Sequence, residues 1–276
     1  MKFLSRFYIA IIFLLLYAPI LLVIVFSFNQ SGSLSSFGGF SVVWYADLFR
    51  NNEALTALKN SLVLAVLSSV LATVLGTFAA FSISRSKNKY YKRTMESVSN
   101  IPMMNPDIVT GVSMMLLFVG VARLLRTGSY LGFWTMLIAH TTFNLPYVIL
   151  SVLPKFRQMD KSLTEAALDL GCTPVQTFFR VELPYISPGI ISGLMMSFTL
   201  SLDDFVISHF VSSPDFKTLP LYIYTQTAHE VKFSMYALCT LLIFAILLLL
   251  IAVNVAGSIG EKRARKKAGS YGMGGK

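Results

Sequence analysis

Three aspartates lie within apolar stretches of the sequence, where burying a carboxylate is unfavourable. Asp107 follows Pro106 inside one stretch, and Asp203 and Asp204 lie near the end of another. Ionisable side chains at membrane depth face a protein interior or a wet cavity, and they mark substrate or ion pathways. A cationic substrate is one way to supply the compensating charge. The structural alternatives are a helix-capping role for Asp107 and a polar seam between subunits for the Asp203–Asp204 pair.

A stripe of small and polar residues leads to that pair. Its members recur at steps of four, four, four, three and four, which places them on one face of a helix. The stripe comprises Gly189, Gly193, Ser197, Ser201, Asp204 and Ser208. Glycines four residues apart allow a second helix to approach closely. Asp203 lies about 100° round the helix from Asp204, so the two carboxylates cannot point in the same direction.

A second polar stripe recurs at i, i+4, i+7 and i+11 of another apolar stretch. It comprises His140, Asn144, Tyr147 and Ser151. We predict that this face turns towards a partner subunit or a pathway. No second His or Cys lies at ligand spacing from His140, so we predict no metal site and interpret His140 as a buried hydrogen-bonding residue. Cys172 lies in a polar segment and Cys239 in an apolar one, so we predict no disulfide.

The composition places these stripes in a membrane. The 276-residue chain is 55% hydrophobic and 13% charged, whereas soluble chains carry about a quarter charged residues. A spanning helix needs roughly 20 mostly apolar residues. Six stretches qualify, at 7–28, 60–84, 98–121, 131–153, 186–210 and 235–258. The predicted fold class is therefore an all-α polytopic membrane protein with six transmembrane helices, the first of them an uncleaved span and the third interrupted by Pro102 and Pro106.

The basic residues predict the orientation of these spans. Of the 23 Lys and Arg residues, six fall on one side of the predicted membrane. These are Arg50, Lys59, Arg123, Arg126, Lys217 and Lys232. The remainder fall on the other side, which the positive-inside rule assigns to the cytoplasm together with both termini. The formal net charge of +10 is explained in this way without nucleic acid.

A polar segment from Ser162 to Pro184 separates the fourth and fifth predicted spans. Two S/T-x-x-E/Q patterns predict capping boxes, one between Ser162 and Glu165 and one between Thr173 and Gln176. Gly171 suits a left-handed helix end, and Pro174 suits a first helical position. We predict helices at 163–170 and 174–182, with a stop at Pro184. This organisation favours a docking element over a plain loop, and attachment to the membrane at both ends argues against DNA binding.

The same segment resembles the EAA loop, EAA-x3-G-x9-I-x-LP, of permease subunits in binding-protein-dependent ABC importers. Glu165-Ala166-Ala167, Gly171, Leu183 and Pro184 fit that pattern, and only Val181 departs from it. The resemblance implies a type I ABC importer permease fold in a single domain, 1–276, with a family core at about 56–258. It implies a coupling loop at 154–184 that docks on a cytoplasmic ATPase, and leaves a basic tail at 259–276 that we predict to be disordered. The coupling residues implied are Glu165, Ala166, Ala167, Asp169, Gly171, Leu183 and Pro184.

Three further stretches, 103–109, 197–208 and 219–224, are similar to the C-type subunits of spermidine/putrescine permeases. This resemblance implies a bacterial cytoplasmic (inner) membrane protein that transports polyamines with three kinds of partner. They are a homologous second permease, an ATPase dimer and an extracytoplasmic polyamine-binding protein. Polyamines are polycations that carboxylates and aromatic faces hold well. The residues assigned to a substrate path or gate are Asp107, Asp203, Asp204, Ser201, Phe205 and Asn144.

No G-x4-G-K-[ST] sequence is present, so we expect ATP to bind the partner ATPase and this chain to be neither an enzyme nor a cofactor protein. The first alternative is an importer permease for another cationic or small organic solute. A proton-coupled secondary transporter would also use carboxylates in the membrane, but such folds carry internal repeats and the EAA loop would go unexplained. A membrane-embedded enzyme is disfavoured because His140 has no nearby nucleophile–base arrangement.

Overall fold

The computed structural model describes residues 2–33, 35–126, 131–227, 232–248 and 251. The described chain is helical throughout, with two isolated β-bridges. The first six helices are α1 (Lys2–Ser27), α2 (Val43–Arg50), α3 (Asn52–Arg85), α4 (Lys89–Met104), α5 (Asp107–Leu125) and α6 (Phe133–Gln158). They are followed by α7 (Lys161–Asp169), α8 (Pro174–Thr177), a π-helix (Phe178–Glu182), α9 (Leu183–Asp203), α10 (Val206–Val211), α11 (Leu219–Thr227) and α12 (Phe233–Leu248).

Five helical stretches are long and apolar enough to cross a membrane. They are Arg6–Ser27, Asn52–Arg85, Asp107–Leu125, Phe133–Gln158 and Pro174–Asp203. The sixth predicted span, 235–258, is described only as far as the shorter apolar helix α12 and residue 251, and the predicted tail at 259–276 lies outside the described residues. The all-helical, multi-span prediction is therefore confirmed to the extent of five candidate spans.

The predicted interruption of the third span, 98–121, is confirmed at Pro106 and is wrong at Pro102. Helix α4 ends at Met104 and α5 begins at Asp107, with Asn105 and Pro106 extended between them. The ring of Pro106 disfavours helical backbone at Asn105, and Pro106 has no N–H to continue the helical ladder. Pro102, in contrast, lies inside α4. Asp107 therefore occupies the first turn of a new helix and not the middle of a continuous one.

The fifth predicted span, 186–210, also differs from the structure at both ends. The helix of this span starts earlier, at Pro174, and continues through the π-helix into α9. It ends at Asp203, and Asp204 and Phe205 separate it from the short helix α10. The small and polar stripe from Gly189 to Ser208 is therefore interrupted at its acidic end.

The chain forms two compact units, residues 1–55 with 225–276 and residues 56–224. In the first unit, the side chain of Asn29 organises the turn after α1. Its Nδ2 donates to the carbonyl oxygens of Ser33 and Ser36, and its Oδ1 accepts from the Gly38 N–H. The indole of Trp44 donates to the Asn29 carbonyl over 2.7 Å. These bonds hold α2 beside the end of α1.

The core of the second unit lies between α3, α6 and α9. Val148 and Val152 on α6 and Ile186 on α9 are fully buried there. Glycines permit this close packing, as the first stripe predicts. A Cβ built on Gly189 would come within 2.8 Å of the Ser151 carbonyl oxygen, and one on Gly193 within 3.2 Å of the Val148 Cα.

Gly189→Ala is therefore expected to destabilise the chain. The added methyl group must displace backbone of α6, and overpacking of this kind costs about 1–3 kcal/mol, which exceeds the gain of about 0.5–1 kcal/mol from replacing a helical Gly by Ala. The matched control is Gly120→Ala, because a Cβ on Gly120 meets no atom within 4 Å. Thermal unfolding in detergent should show a lower Tm for Gly189→Ala and an equal or higher Tm for the control. Equal Tm values in all three proteins would contradict the close packing of α6 on α9.

Candidate functional site

The polar segment begins with a cap that differs from the prediction. Helix α7 starts at Lys161, and the Asp160 carboxylate accepts the Ser162 N–H over 3.0 Å. The predicted box between Ser162 and Glu165 is therefore wrong. Asp160 precedes Ser162 and is an equally good capping residue, so it takes the position and places Ser162 inside the helix. The pKa of the Asp160 carboxyl is lowered because the Ser162 backbone N–H and hydroxyl donate to its ionised form.

This cap is expected to be pH-dependent. The folded-state pKa of Asp160 is depressed, so its contribution is present above the unfolded pKa, near 4, and is lost as the pH falls through the folded value. Amide hydrogen exchange at the start of α7, corrected for intrinsic rates, should accelerate below about pH 4. The cap of α8 is a hydroxyl and serves as the internal control, because its protection should not follow that titration. Equal acceleration of both caps would refute the role of the Asp160 charge.

The end of α7 is confirmed as a glycine turn. Gly171 has φ +86°, a left-handed conformation that glycine adopts without the strain of a Cβ. Its N–H donates to the Leu168 carbonyl over 2.9 Å, and the Cys172 N–H donates to the Ala167 carbonyl over 3.1 Å. These two bonds form the Schellman motif that satisfies the last carbonyls of a helix. The turn connects the end of α7 to the start of α8.

The predicted cap of the second helix is also confirmed. The Thr173 hydroxyl accepts the Gln176 N–H over 3.3 Å, the Gln176 side chain accepts the Thr173 N–H over 3.0 Å, and Pro174 lies at the first helical position. The predicted stop at Pro184 is wrong. The helix loosens into the π-helix, where the Leu183 N–H donates to the Phe178 carbonyl. Pro184 then falls in the first turn of α9, where its missing N–H is tolerated.

Glu182, which the sequence reasoning missed, connects this segment to the spans. Its side chain is 1% exposed and forms an ion pair with Arg85 at the end of α3. The Thr164 hydroxyl on α7 donates to the same carboxylate over 3.4 Å. The Arg85 guanidinium also lies 5.1 Å from the centroid of the Phe81 ring. One carboxylate therefore joins α3, α7 and the π-helix. One signal for this contact was present in the sequence, an acidic residue two positions before Pro184. A helix that ended at Pro184 would have left that residue exposed to water, so burial of Glu182 was not predicted.

The residues assigned to coupling lie mostly on the outer surface of this segment. Glu165, Ala166, Asp169, Gly171 and Pro184 are exposed, Ala167 is buried and Leu183 is half-buried against the core. Large apolar side chains are exposed beside them. These are Leu163, Leu168, Leu170 and Val175, of which Leu170 is 86% exposed. A short capped element with an exposed apolar face has the character of a docking surface.

The break after α9 is organised by Asp204. Its two carboxylate oxygens accept the N–H groups of Ile207, over 3.2 Å, and Ser208, over 2.8 Å, at the start of α10. Its side chain is only 8% exposed, and the His140 Nε2 lies 3.5 Å from its Oδ2. The second stripe therefore meets the acidic end of the first one. Sequence reasoning identified both stripes but did not pair His140 with Asp204.

Ser201 lies in the same polar layer. The His140 Nδ1 lies 2.8 Å from the Ser201 hydroxyl, which also accepts from the Ser68 hydroxyl on α3 over 3.0 Å. The His140 Nε2 lies 3.2 Å from the Ser208 hydroxyl. Hydrogen bonds thus join α3, α6, α9 and α10 around a buried imidazole. The structure brings Ser201 and Asp204 together and gives both of them partners within the chain.

The other residues assigned to a path have different surroundings. Asp203 is exposed, and the Phe205 ring packs against Tyr224, with centroids 4.6 Å apart. Asn144 is fully buried, and within the described residues neither atom of its amide has a hydrogen-bond partner. Asp107 is exposed in the first turn of α5, and the described contacts do not join it to Asp203 or Asp204. Among the described residues, no cluster of His, Cys, Asp and Glu could hold a metal ion.

Comparison with known proteins identifies the family to which the sequence is similar. Residues 72–266 match the family described as "Binding-protein-dependent transport system inner membrane component". The chain is 38% identical over 234 residues to the putrescine transport system permease protein PotI of Escherichia coli (strain K12), covering 85% of this chain and 83% of the relative. It is 36% identical over 249 residues to the spermidine/putrescine transport system permease protein PotC of Haemophilus influenzae, covering 90% and 94%.

A solved structure supports the fold. One chain of a bacterial alginate ABC transporter, in complex with alginate pentasaccharide-bound periplasmic protein, aligns with a TM-score of 0.73 at 19% identity, covering 92% of both chains. The described chain therefore has the type I ABC importer permease fold, and the resemblance to spermidine/putrescine permeases is confirmed by the two relatives. The chain belongs to the family of binding-protein-dependent transport system inner membrane components.

Proposed function

We propose that this chain is a membrane-spanning permease subunit of an ATP-driven importer that translocates polyamines. The observation that carries the proposal is the similarity to PotI and PotC over 85% and 90% of the chain. The names of those relatives specify putrescine and spermidine. The proposed partners are a homologous second permease, an ATPase dimer that binds the ATP, and an extracytoplasmic polyamine-binding protein.

The proposed topology has six transmembrane helices, with both termini in the cytoplasm of a bacterial cell. The excess of Lys and Arg supports this orientation, because basic residues concentrate in cytoplasmic loops. In this orientation α7 and α8 lie on the cytoplasmic side, where an ATPase would bind. The exposed apolar side chains of α7 and α8 supply the surface for that contact.

In this proposal, the predicted coupling loop at 154–184, here called the coupling segment, transmits motion from the ATPase to the spans. Glu165 and Gly171 lie on its exposed side, whereas Glu182 connects its base to α3. Docking and transmission are thus divided between an outer face and a buried ion pair. Movement of α7 and α8 would reach α3 through Arg85 and α9 through the π-helix.

Glu165→Ala is expected to uncouple ATP hydrolysis from transport without unfolding the chain. Glu165 is exposed, so its loss removes an interaction with the partner and leaves the core intact. Transport per ATP hydrolysed should fall several-fold, since one charged contact across an interface is worth about 1–3 kcal/mol. Glu53→Ala, at an exposed acidic residue near the start of α3, is the control. Unchanged coupling in Glu165→Ala would remove this residue from the docking surface.

The proposed substrate path uses exposed Asp203 with the neighbouring Phe205 ring, while Ser201 and Asp204 hold the break in place. A carboxylate beside aromatic faces suits a flexible polycation. Asp204 is occupied by two backbone N–H groups and lies beside His140, so its free capacity for a ligand is small. Asp107 and Asn144 remain predicted members of the path.

Uptake in vesicles that contain the assembled complex tests the function. Radiolabelled spermidine and putrescine should accumulate only when ATP and the binding protein are both present. ATP-dependent uptake of a different solute, with no polyamine uptake, would support the proposal of an importer and contradict the proposal that polyamines are its substrate. Polyamine uptake driven by a proton gradient alone would overturn the importer itself.

A further inference from the structure

A basic cavity of about 710 Å³ opens between the end of α3, the start of α4, the end of α6 and α7. It adjoins the exposed face of the coupling segment, because Glu165 belongs to both. The basic residues that line it are Arg85, Lys87, Lys92, Arg157 and Lys161. The carboxylates that line it are Glu165 and Glu182. Cations therefore outnumber anions in the wall of the cavity.

The ion pairs leave three lysines in the cavity wall against the one remaining carboxylate, that of Glu165. Arg85 pairs with Glu182, and Arg157 pairs with Glu96 on α4. Lys87, Lys92 and Lys161 form no ion pair within the described ranges of the chain. Three ammonium groups around one concave space repel each other and favour an anion between them. A phosphate, with its several acceptor oxygens, satisfies such a set of donors.

Aromatic ring contacts connect one cation of the cavity wall to an exposed apolar side chain of α3. Phe78, on the outer face of α3, is 56% exposed, and its ring stacks on Phe178 with centroids 6.4 Å apart. The Phe178 ring contacts Phe81, and Arg85 lies over the Phe81 ring. A series of ring contacts thus runs from the exposed Phe78, in a candidate membrane span, to Arg85 in the cavity wall. A soluble anion would need no such surface, whereas a lipid uses both parts.

We propose that this cavity binds the phosphate headgroup of an anionic phospholipid, with Lys87 and Lys92 as its principal contacts. Basic pockets between spanning helices on the cytoplasmic side are suited to anionic headgroups. The lipid would hold the α3–α4 connection beside α7, next to the ion pair that links the coupling segment to the spans. The side of the membrane follows from the proposed function, but the binding itself is measured without transport.

Lipid binding to the purified complex tests this site. Dioleoyl phosphatidylglycerol is titrated into the delipidated complex, and native mass spectrometry counts the lipids retained by each permease. Lys87→Gln/Lys92→Gln should weaken binding at this site by about thirtyfold, because the two basic residues together contribute on the order of 2 kcal/mol near a lipid surface. The matched control is Lys89→Gln/Arg93→Gln, which removes the same charge from exposed positions that do not line the cavity.

Several outcomes would overturn the site. Equal losses in the two double variants would mean attraction by a diffuse basic surface. Equal retention of dioleoyl phosphatidylcholine would remove the requirement for an anionic headgroup. Displacement of the lipid by inorganic phosphate at comparable concentrations would make the ligand a soluble anion. If the double variant fails to assemble, the phosphatidylcholine and phosphate measurements on the unaltered complex still decide the question, and a failure to transport polyamines would not affect any of them.

Discussion

Arg85→Met is expected to destabilise the chain by about 3–5 kcal/mol, whereas Glu182→Gln is expected to cost only about 1 kcal/mol. The two partners of this ion pair differ in burial. The Arg85 side chain is 44% exposed and can be hydrated when its partner is lost, but the Glu182 side chain is 1% exposed. Removing Arg85 leaves a buried carboxylate for which, among the described residues, the Thr164 hydroxyl is the remaining donor. The larger effect therefore comes from removing the more exposed residue.

Unfolding of the purified chain in detergent measures this asymmetry. Arg85→Met/Glu182→Met should recover most of the stability lost in Arg85→Met, because an apolar pair leaves no uncompensated charge. Lys89→Met, at an exposed residue on α4, controls for removal of a surface cation. The doubly substituted complex is nevertheless expected to hydrolyse ATP with less transport, since the tie between α3 and the coupling segment is gone. Similar losses of stability in Arg85→Met and Glu182→Gln would contradict the difference in burial between the two side chains.

Asp203→Asn is expected to lower polyamine uptake by at least about tenfold, with the amount of assembled complex unchanged. Asp203 is exposed at the end of α9, so its charge is available to a passing cation. Asp204→Ala should act differently, by reducing folded protein. It removes the cap of α10, worth about 1 kcal/mol, and leaves buried polar groups without a partner at about 1–3 kcal/mol.

Parallel measurement of uptake and of assembled complex separates these effects. Asp215→Asn, at an exposed aspartate between α10 and α11, is the control for loss of a negative charge. Asp204→Asn should be intermediate in stability, because its amide oxygen still accepts one of the two N–H groups. Full uptake in Asp203→Asn would contradict a role of Asp203 in the path and favour the alternative, a polar surface of the subunit. Stable assembly with low uptake in Asp204→Ala would place Asp204 in the path.

The sequence is most informative where the determinants are local. Gly171 and the Thr173–Gln176 box act within one turn of helix, and both have the predicted geometry. Asp160 shows the limit of such patterns, because two adjacent capping residues compete and only the backbone decides between them. The two polar stripes could also be predicted, because the spacing of residues specifies which of them share one face of a helix.

Features that depend on contacts between distant segments could not be predicted from the sequence. The partner of Asp204 is 64 residues away at His140, and Glu182 is 97 residues from Arg85. Neither spacing leaves a pattern in a single sequence. The ends of the spans were misplaced for a related reason, because a proline such as Pro184 stops a helix in one setting and lies in its first turn in another.

The π-helix between Phe178 and Glu182 sets the rotation of α8 relative to α9. Its hydrogen bonds run from i to i+5, so it holds one residue more than an α-helix of the same rise. Returning that residue to α-helical spacing would turn α8 about 100° relative to α9 and shift it about 1.5 Å along the axis. Such a transition in the π-helix would couple a screw motion of α8 to a rotation of α9. Deletion of one residue from this stretch would leave a continuous helix that presents the wrong face to its partner.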